Sequence, residues 1–244
     1  MSEQEQSKVV MVVVAHADDA EFGCAGTAAL WAREGWDVYY VICTDGGSGG
    51  SDDALDISAA ARKQVVEARI KEQQDAGKIL GLKSVIFLEY PDGQLQPSME
   101  LRRDIVRLLR RYRPSRVICQ SPDRSWTPSL SIGRYHPDHL AAGRATLEAI
   151  YPASQNPWDF PELLEEGLKP HKVSEVFFMG APVQNYFADI TSTMDLKLEA
   201  LRAHNSQLAD HFAELEGWIR SFGSETGTRY GVEYAEEFHR SENR

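Results

Sequence analysis

The chain has 244 residues, a formal charge of -11 at pH 7 and three cysteines. That length buries a sizeable core in one α/β domain and needs no subdivision. The acidic balance speaks against a groove for nucleic-acid backbone, and the absence of CxxC spacing speaks against a disulfide scaffold.

Cys24, Cys43 and Cys119 sit among apolar or small residues and read as buried thiols. The N-terminal MSEQEQSK is polar and acidic, neither a signal peptide nor a membrane span, so a cytoplasmic protein is expected. No internal repeat is evident.

Val9–Gly23 reads VVMVVVAHADDAEFG, an apolar run rich in β-branched residues that ends in His16, Asp18, Asp19 and Glu21. Such a run predicts a strand buried on both faces, because branched side chains pack well on a pleat. Glu21–Glu34 follows as a helix whose first turns are lined with small residues. Val38–Cys43 is a second strand, emptying into TDGGSGGSDD. That loop reads as a pocket wall; it lacks the GxxxxGK[ST] pattern of a phosphate cradle.

Ile57–Leu80 is a long charged crossover helix ending at Gly81. Ser84–Leu88 is a third strand, and the turn signal Pro91-Asp92-Gly93 after it makes Asp92 a pocket candidate. Met99–Arg111 is a helix and Arg116–Cys119 a fourth strand. The arginines of this region, Arg102, Arg103, Arg107, Arg110, Arg111, Arg113 and Arg116, read as a solvated helix face and C-terminal turn. Alternating strands and helices argue for βαβ units, hence a Rossmann-like three-layer α/β/α sandwich with a mostly parallel central sheet.

The loop QSPDRSWTPSLSIGRY is long for an α/β connection, and long loops in compact domains tend to be functional. It delivers His136 and His139 and offers Trp126 and Tyr135 as a substrate wall. Asp138–Ile150 is a helix. Residues 151–170, with four prolines, read as a surface loop or partial lid, within a loop-rich insertion near 151–172. Val173–Met179 is a strand and Met194–Phe212 a helix. Tyr230, Tyr234 and Phe238 recur every four residues, so YAEEF reads as a short helix in a helical tail near 221–244.

Imidazole and carboxylate are good ligands for a borderline-soft divalent cation, and open α/β sheets place ligands at the carboxyl ends of their strands. His16, Asp19 and His139 are therefore expected to hold one metal, zinc or another divalent ion such as ferrous iron. Such a metal lowers the pKa of water and polarises a carbonyl. Asp18, leaving the same turn in another direction, is expected to be the general base. His136 is expected to stabilise an oxyanion, if protonated, or to return a proton to a leaving amine. Glu21 is either a helix-dipole partner or support for the ligands.

AHADDAEFGCAGT and RYHPDH together resemble the two histidine motifs of the PIG-L/LmbE-like zinc-dependent N-acetylglucosaminyl deacetylase family. TDGGSG, ARIKEQQDAGKILG, YPDGQL and KLEALRAHNSQ are similar to further family segments, so the resemblance covers nearly the whole chain. It implies a single Rossmann-like domain over 1–244 that uses zinc to remove acetyl groups from N-acetylated amino sugars or their conjugates. It also implies His16, Asp19 and His139 as ligands, Asp18 as base, His136 in charge stabilisation or proton donation, and Arg69 and Asp92 in the sugar pocket. His204, in AHNSQ, lies in a shared motif without an assigned role. Ala17, Ala20 and Gly47 depart from the family pattern, and Gly47 removes one sugar-hydroxyl contact.

The expected partner is a small amino-sugar conjugate, with no nucleic acid and no membrane span. Aromatic surface at 151–170 and in the tail is compatible with a homo-oligomer. Two other classes compete: a zinc-dependent amidohydrolase acting on another small N-acylated metabolite, and a non-catalytic Rossmann-like binding module.

Overall fold

The computed structural model describes residues 8–51 and 53–244; the acidic stretch at 1–7 and Asp52 lie outside the described residues. Among the described residues, seven strands form the sheet: β1 (Val9–Val14), β2 (Asp37–Thr44), β3 (Ser84–Tyr90), β4 (Arg116–Gln120), β5 (Glu175–Met179), β6 (Tyr186–Asp189) and β7 (Ala235–Glu242). Their order is β3-β2-β1-β4-β5-β7-β6. The first five are mutually parallel, and β7 runs antiparallel between β5 and β6. This is the mostly parallel, helix-covered sheet that the alternation predicts.

The apolar run of β1 divides between two cores because successive side chains face opposite ways. Val10, Val12 and Val14 join Tyr40, Ile42 and Phe177 on one face, while Met11 and Val13 join Val41, Val117 and Cys119 on the other. Helices α2 (Ala25–Arg33), α3 (Ala59–Leu80), α7 (Met194–Arg202) and α9 (Phe212–Tyr230) cover the first face. Helices α4 (Met99–Tyr112) and α5 (Pro137–Glu148) cover the second. All three cysteines are buried and free. No helix among the described residues is long and apolar enough to cross a membrane.

Several expectations need correction. The helix read over Glu21–Glu34 is two: α1 (Asp19–Gly23) ends at Cys24, and α2 starts anew. Its first N–H groups are accepted by Glu236, which receives Gly26 N at 3.0 Å and Thr27 N at 2.8 Å. That carboxylate is more than 200 positions away in the chain, so no local signal announces the break.

The helix read over Met194–Phe212 is likewise interrupted, by a buried His204 and the short α8 (Asn205–Leu208). The YAEEF segment is a strand, not a helix. Gly231, at φ 75°, ends α9, and the following residues complete the sheet beside β5. Burying Phe238 and Glu236 on one face while pairing the backbone on both sides outweighs the weak four-residue aromatic spacing.

Residues 151–170 form no lid. They hold a kink at Tyr151 and the short helix α6 (Glu162–Glu165), and lie at the amino-terminal ends of the strands. His171 Nε2 meets Pro114 O, just before β4, at 2.7 Å. The guanidinium of Arg110, 2% exposed, anchors the segment by donating to the carbonyls of Ala153, Ser154, Asn156 and Asp159. Arg110 is thus buried, whereas Arg102, Arg107 and Arg116 pair with Glu148, Glu166 and Glu175.

A candidate metal centre at the sheet's switch point

The strand order reverses direction between β1 and β4, where an open α/β sheet leaves a crevice at its carboxyl edge. His16 and Asp19 leave β1 into this crevice. His139 enters it from the first turn of α5, which packs against the end of β4 at Gly143. A side chain at Gly143 would put its Cβ 2.2 Å from Gln120 O, so glycine there sets how closely the helix approaches.

The convergence is tight. His16 Nδ1 lies 3.3 Å from His139 Nε2 and 3.4 Å from Asp19 Oδ2, and His139 Nε2 lies 3.0 Å from Asp19 Oδ1. Four ligands around zinc at about 2.0–2.1 Å stand roughly 3.3 Å apart at tetrahedral angles. The donor set therefore fits a divalent cation, and two imidazole nitrogens facing each other favour a positive charge between them.

The electrostatics agree. Burial alone would lower the pKa of His16, but hydrogen bonds and charge from Asp19 and Asp92 outweigh it and raise it to about 10. Burial opposes ionisation of Asp19, yet His139 and His16 hold its carboxyl far below the ordinary range.

The other face of His16 is fixed by carboxylates. Its Nε2 lies 3.1 Å from Asp92 Oδ1 and 3.2 Å from Asp138 Oδ2, which orients the ring with Nδ1 toward the cluster. Asp92 also accepts Ser48 N at 2.9 Å, and Asp138 accepts Gly93 N and Leu95 N. The loop after β3 thereby braces the imidazole.

Asp18 diverges from Asp19 because its backbone is left-handed, at φ 82°. Asp tolerates that region better than most residues, and strain of this kind gathers at functional sites. Gln73 accepts Asp18 N at 3.0 Å, and Arg69 Nη2 donates to Asp18 Oδ2 at 3.0 Å and to Ala17 O at 2.8 Å. Burial and the Asp19 charge push the Asp18 carboxyl up to about 7, against the pull of Arg69.

The glycine loop after β2 seats this arginine. A Cβ at Gly49 would lie 2.1 Å from Arg69 Nη1, and Gln207 of the AHNSQ segment holds the loop through Gly49 O. Arg69 Nε is buried without a partner among the described residues.

His136 caps α5: its Nδ1 accepts Asp138 N at 3.2 Å, leaving Nε2 to carry the proton. Its ring centroid lies 4.8 Å from that of His16 and 5.3 Å from that of His139. Burial and the neighbouring imidazoles lower its pKa, so it stands as a neutral N–H donor rather than a cation. Tyr135 lines the cavity beside Asp19 and His139, while Trp126 is 70% exposed.

Gln120, Asp138 and Gln73 hydrogen-bond to the candidate site residues, and sequence reasoning misses them. Gln120 ends β4, donates to Asp19 Oδ2 at 3.0 Å and accepts Ala15 N at 3.0 Å, joining the ends of β1 and β4. A lone polar residue closing an apolar strand is the one signal that points to it. Glu21, fully buried, accepts from Gln73 at 2.9 Å and faces buried His204 at 3.5 Å, behind Asp18. It supports the site from beneath.

Residues 11–150 match the family described as PIG-L: GlcNAc-PI de-N-acetylase. The diacetylchitobiose deacetylase of Thermococcus kodakarensis is 33% identical over 230 residues, 94% of this chain and 81% of that protein. A Bacillus anthracis protein described as probable N-acetyl-alpha-D-glucosaminyl L-malate deacetylase 2 is 31% identical over 210 residues, 85% and 84% of the two chains. Among solved structures, N,N'-diacetylchitobiose deacetylase from Pyrococcus horikoshii, complexed with its inhibitor MPG, superposes with a TM-score of 0.85 at 31% identity. That match covers 96% of this chain and 84% of that one. With its histidine–aspartate cluster at the switch point, this chain belongs to the PIG-L deacetylase family.

Proposed function

We propose that the chain is a zinc-dependent hydrolase that removes the acetyl group from an N-acetylated amino sugar or its conjugate. The observation that carries this reading is the divergence of two adjacent carboxylates. Asp19 joins His16 and His139, while Asp18 is turned away and held by Arg69.

A divalent ion bound by His16, Asp19 and His139 supplies Lewis acidity, polarising an amide carbonyl and lowering the pKa of water. Asp18, titrating near neutrality, accepts the proton of the attacking water as the new C–O bond forms. The same carboxyl returns that proton to the amide nitrogen as the C–N bond breaks, giving acetate and a free amine. The Nε2–H of His136 donates a hydrogen bond to the oxyanion that develops between these steps.

Arg69 keeps Asp18 in its left-handed pose and leaves Nε free for a ligand oxygen. Asp92 is 7% exposed and bonded to His16 and Ser48, which supports a role in orienting the imidazole beside any contact with sugar.

Acetate release from a panel of N-acetylglucosamine conjugates and other small N-acylated metabolites tests the reading. Turnover should vanish on chelation, return with zinc and single out the acetamido sugars. Undiminished turnover by chelated protein would overturn it.

A further inference from the structure

Asp18 owes its left-handed turn to a peptide held on both sides. The Ala17–Asp18 peptide is planar, so its orientation sets φ of Asp18. Its carbonyl accepts Arg69 Nη2 at 2.8 Å, and its N–H donates to Gln73 Oε1 at 3.0 Å. Arg69 and Gln73 lie four apart on α3 and so share one face. Turning this peptide over would break both bonds and move φ of Asp18 from 82° to the ordinary negative range.

Gln73 serves only one way round. An amide has a donating and an accepting end, and the N–H of Asp18 needs the accepting one. Glu21 makes the choice, because its Oε1 takes Gln73 Nε2 at 2.9 Å. Glu21 is fully buried, so its second carboxylate oxygen needs a partner as well. Facing that oxygen is His204, also fully buried, with Nε2 3.5 Å from Glu21 Oε2. Among the described residues, neither nitrogen of that ring hydrogen-bonds elsewhere, nor does Glu21 Oε2. Burial lowers the pKa of His204, but Glu21 and then Asp18 outweigh it and raise it, which favours the donating ring.

The segment that delivers the ring is itself fixed. Ser206 bonds Glu72 through its N and its Oγ, each at 2.7 Å, and Gln207 Nε2 donates to Gly49 O at 2.8 Å. The break after α7 lets one imidazole leave the helix line and reach Glu21 on α1.

We propose that His204 is a positioning residue: through Glu21 and Gln73 it holds the Ala17–Asp18 peptide in the plane that turns the Asp18 carboxyl away from Asp19. Its kinetic consequence rests on the deacetylase reading; its geometric consequence does not.

The first test is a double-mutant cycle on acetate release from the acetamido sugar that wild type turns over fastest. His204→Leu and Gln73→Met should each lower kcat about 10–100-fold, with KM little changed and zinc still bound. The double variant should be no slower than the slower single one, since both cut the same chain of contacts. His204→Gln, which returns a donor toward Glu21, should recover most of the loss. Wild-type kcat in the leucine variant, no recovery with glutamine, or losses that multiply overturn the proposal. If the leucine variant fails to fold, His204→Asn, too short to reach Glu21, takes its place in the cycle.

Amide hydrogen exchange followed by NMR is a readout independent of turnover. The Asp18 N–H should exchange about tenfold faster in His204→Leu and in Gln73→Met, the size of one lost hydrogen bond. Exchange at Val12, in the middle of β1, should keep its rate. Equal acceleration at Asp18 and Val12 would reduce His204 to general stability and overturns the proposal, as does unchanged exchange at Asp18. If wild type releases no acetate from any sugar, the deacetylase reading fails and the exchange rates alone decide.

Discussion

Gln120→Leu removes a side chain that bonds the ends of both central strands, with little change in volume. Two interactions go. The amide no longer donates to the Asp19 carboxylate, and the N–H of fully buried Ala15 loses its acceptor. A hydrogen bond to a charged group contributes about 1.5–3 kcal/mol, and a stranded buried donor costs about 1–3 kcal/mol. Crediting leucine with about 1 kcal/mol for its apolar burial leaves a net loss of roughly 1.5–5 kcal/mol.

For a chain of this length each kcal/mol moves the melting temperature by about 2–4 °C, so a fall of roughly 3–20 °C is expected. Loosening a ligand's supporting hydrogen bond should also weaken zinc about 10–100-fold. Through linkage, the stabilisation gained from a fixed excess of zinc would shrink by about 1.4–2.7 kcal/mol. Calorimetric melts of chelator-treated and zinc-loaded protein, with zinc competition against a chromophoric chelator, measure both effects.

Gln120→Glu separates them. It keeps the acceptor for Ala15 but sets a second carboxylate against Asp19, so the chelated protein should be destabilised and its zinc-induced gain enlarged. A leucine variant that melts with wild type and holds zinc as tightly would refute the bridging role of Gln120.

Three further outcomes are expected. Asp18→Asn should cut kcat by about 10²–10⁴ while retaining zinc, because asparagine tolerates the left-handed backbone but cannot take a proton; steady-state kinetics and metal analysis decide. Glu236→Leu should destabilise by about 3–5 kcal/mol in urea melts, since Lys197 stays buried and Gly26 N, Thr27 N and Thr27 Oγ1 lose their acceptor. Adding Lys197→Met to that variant should recover part of the loss, and simple additivity would count against a coupled pair.

Burial of His171 lowers its pKa, with Pro114 O partly offsetting this. The unfolded imidazole then binds the proton more readily, so this contribution to stability is present above about pH 6.5 and is lost as pH falls toward the folded pKa. His171→Gln should flatten the dependence of melting temperature on pH between neutral and mildly acidic conditions; an unchanged slope would exclude the residue.

The parallel half of the fold was legible because its strands announce themselves. VVMVVV and VYYVIC are apolar runs bounded by polar turns, and a buried strand needs little else. The candidate ligands were legible because their chemistry is concentrated in HADD and HPDH, although assigning them to one point needed β1 and β4 as neighbours. Spacing along the chain said nothing of Gln120 or Gln73, since an amide acquires its meaning from what it bridges.

The antiparallel edge was hidden for a related reason. Whether Ala235–Glu242 becomes strand or helix depends on an open edge at β5, and whether α2 restarts at Ala25 depends on Glu236 arriving from that same strand. Local sequence set which segments prefer to be strands and which residues can hold a cation. Only tertiary packing determined which distant carboxylate satisfies which helix end and which way Asp18 turns from Asp19. Those are properties of pairs of atoms brought close by the fold, and no single stretch of chain contains both members.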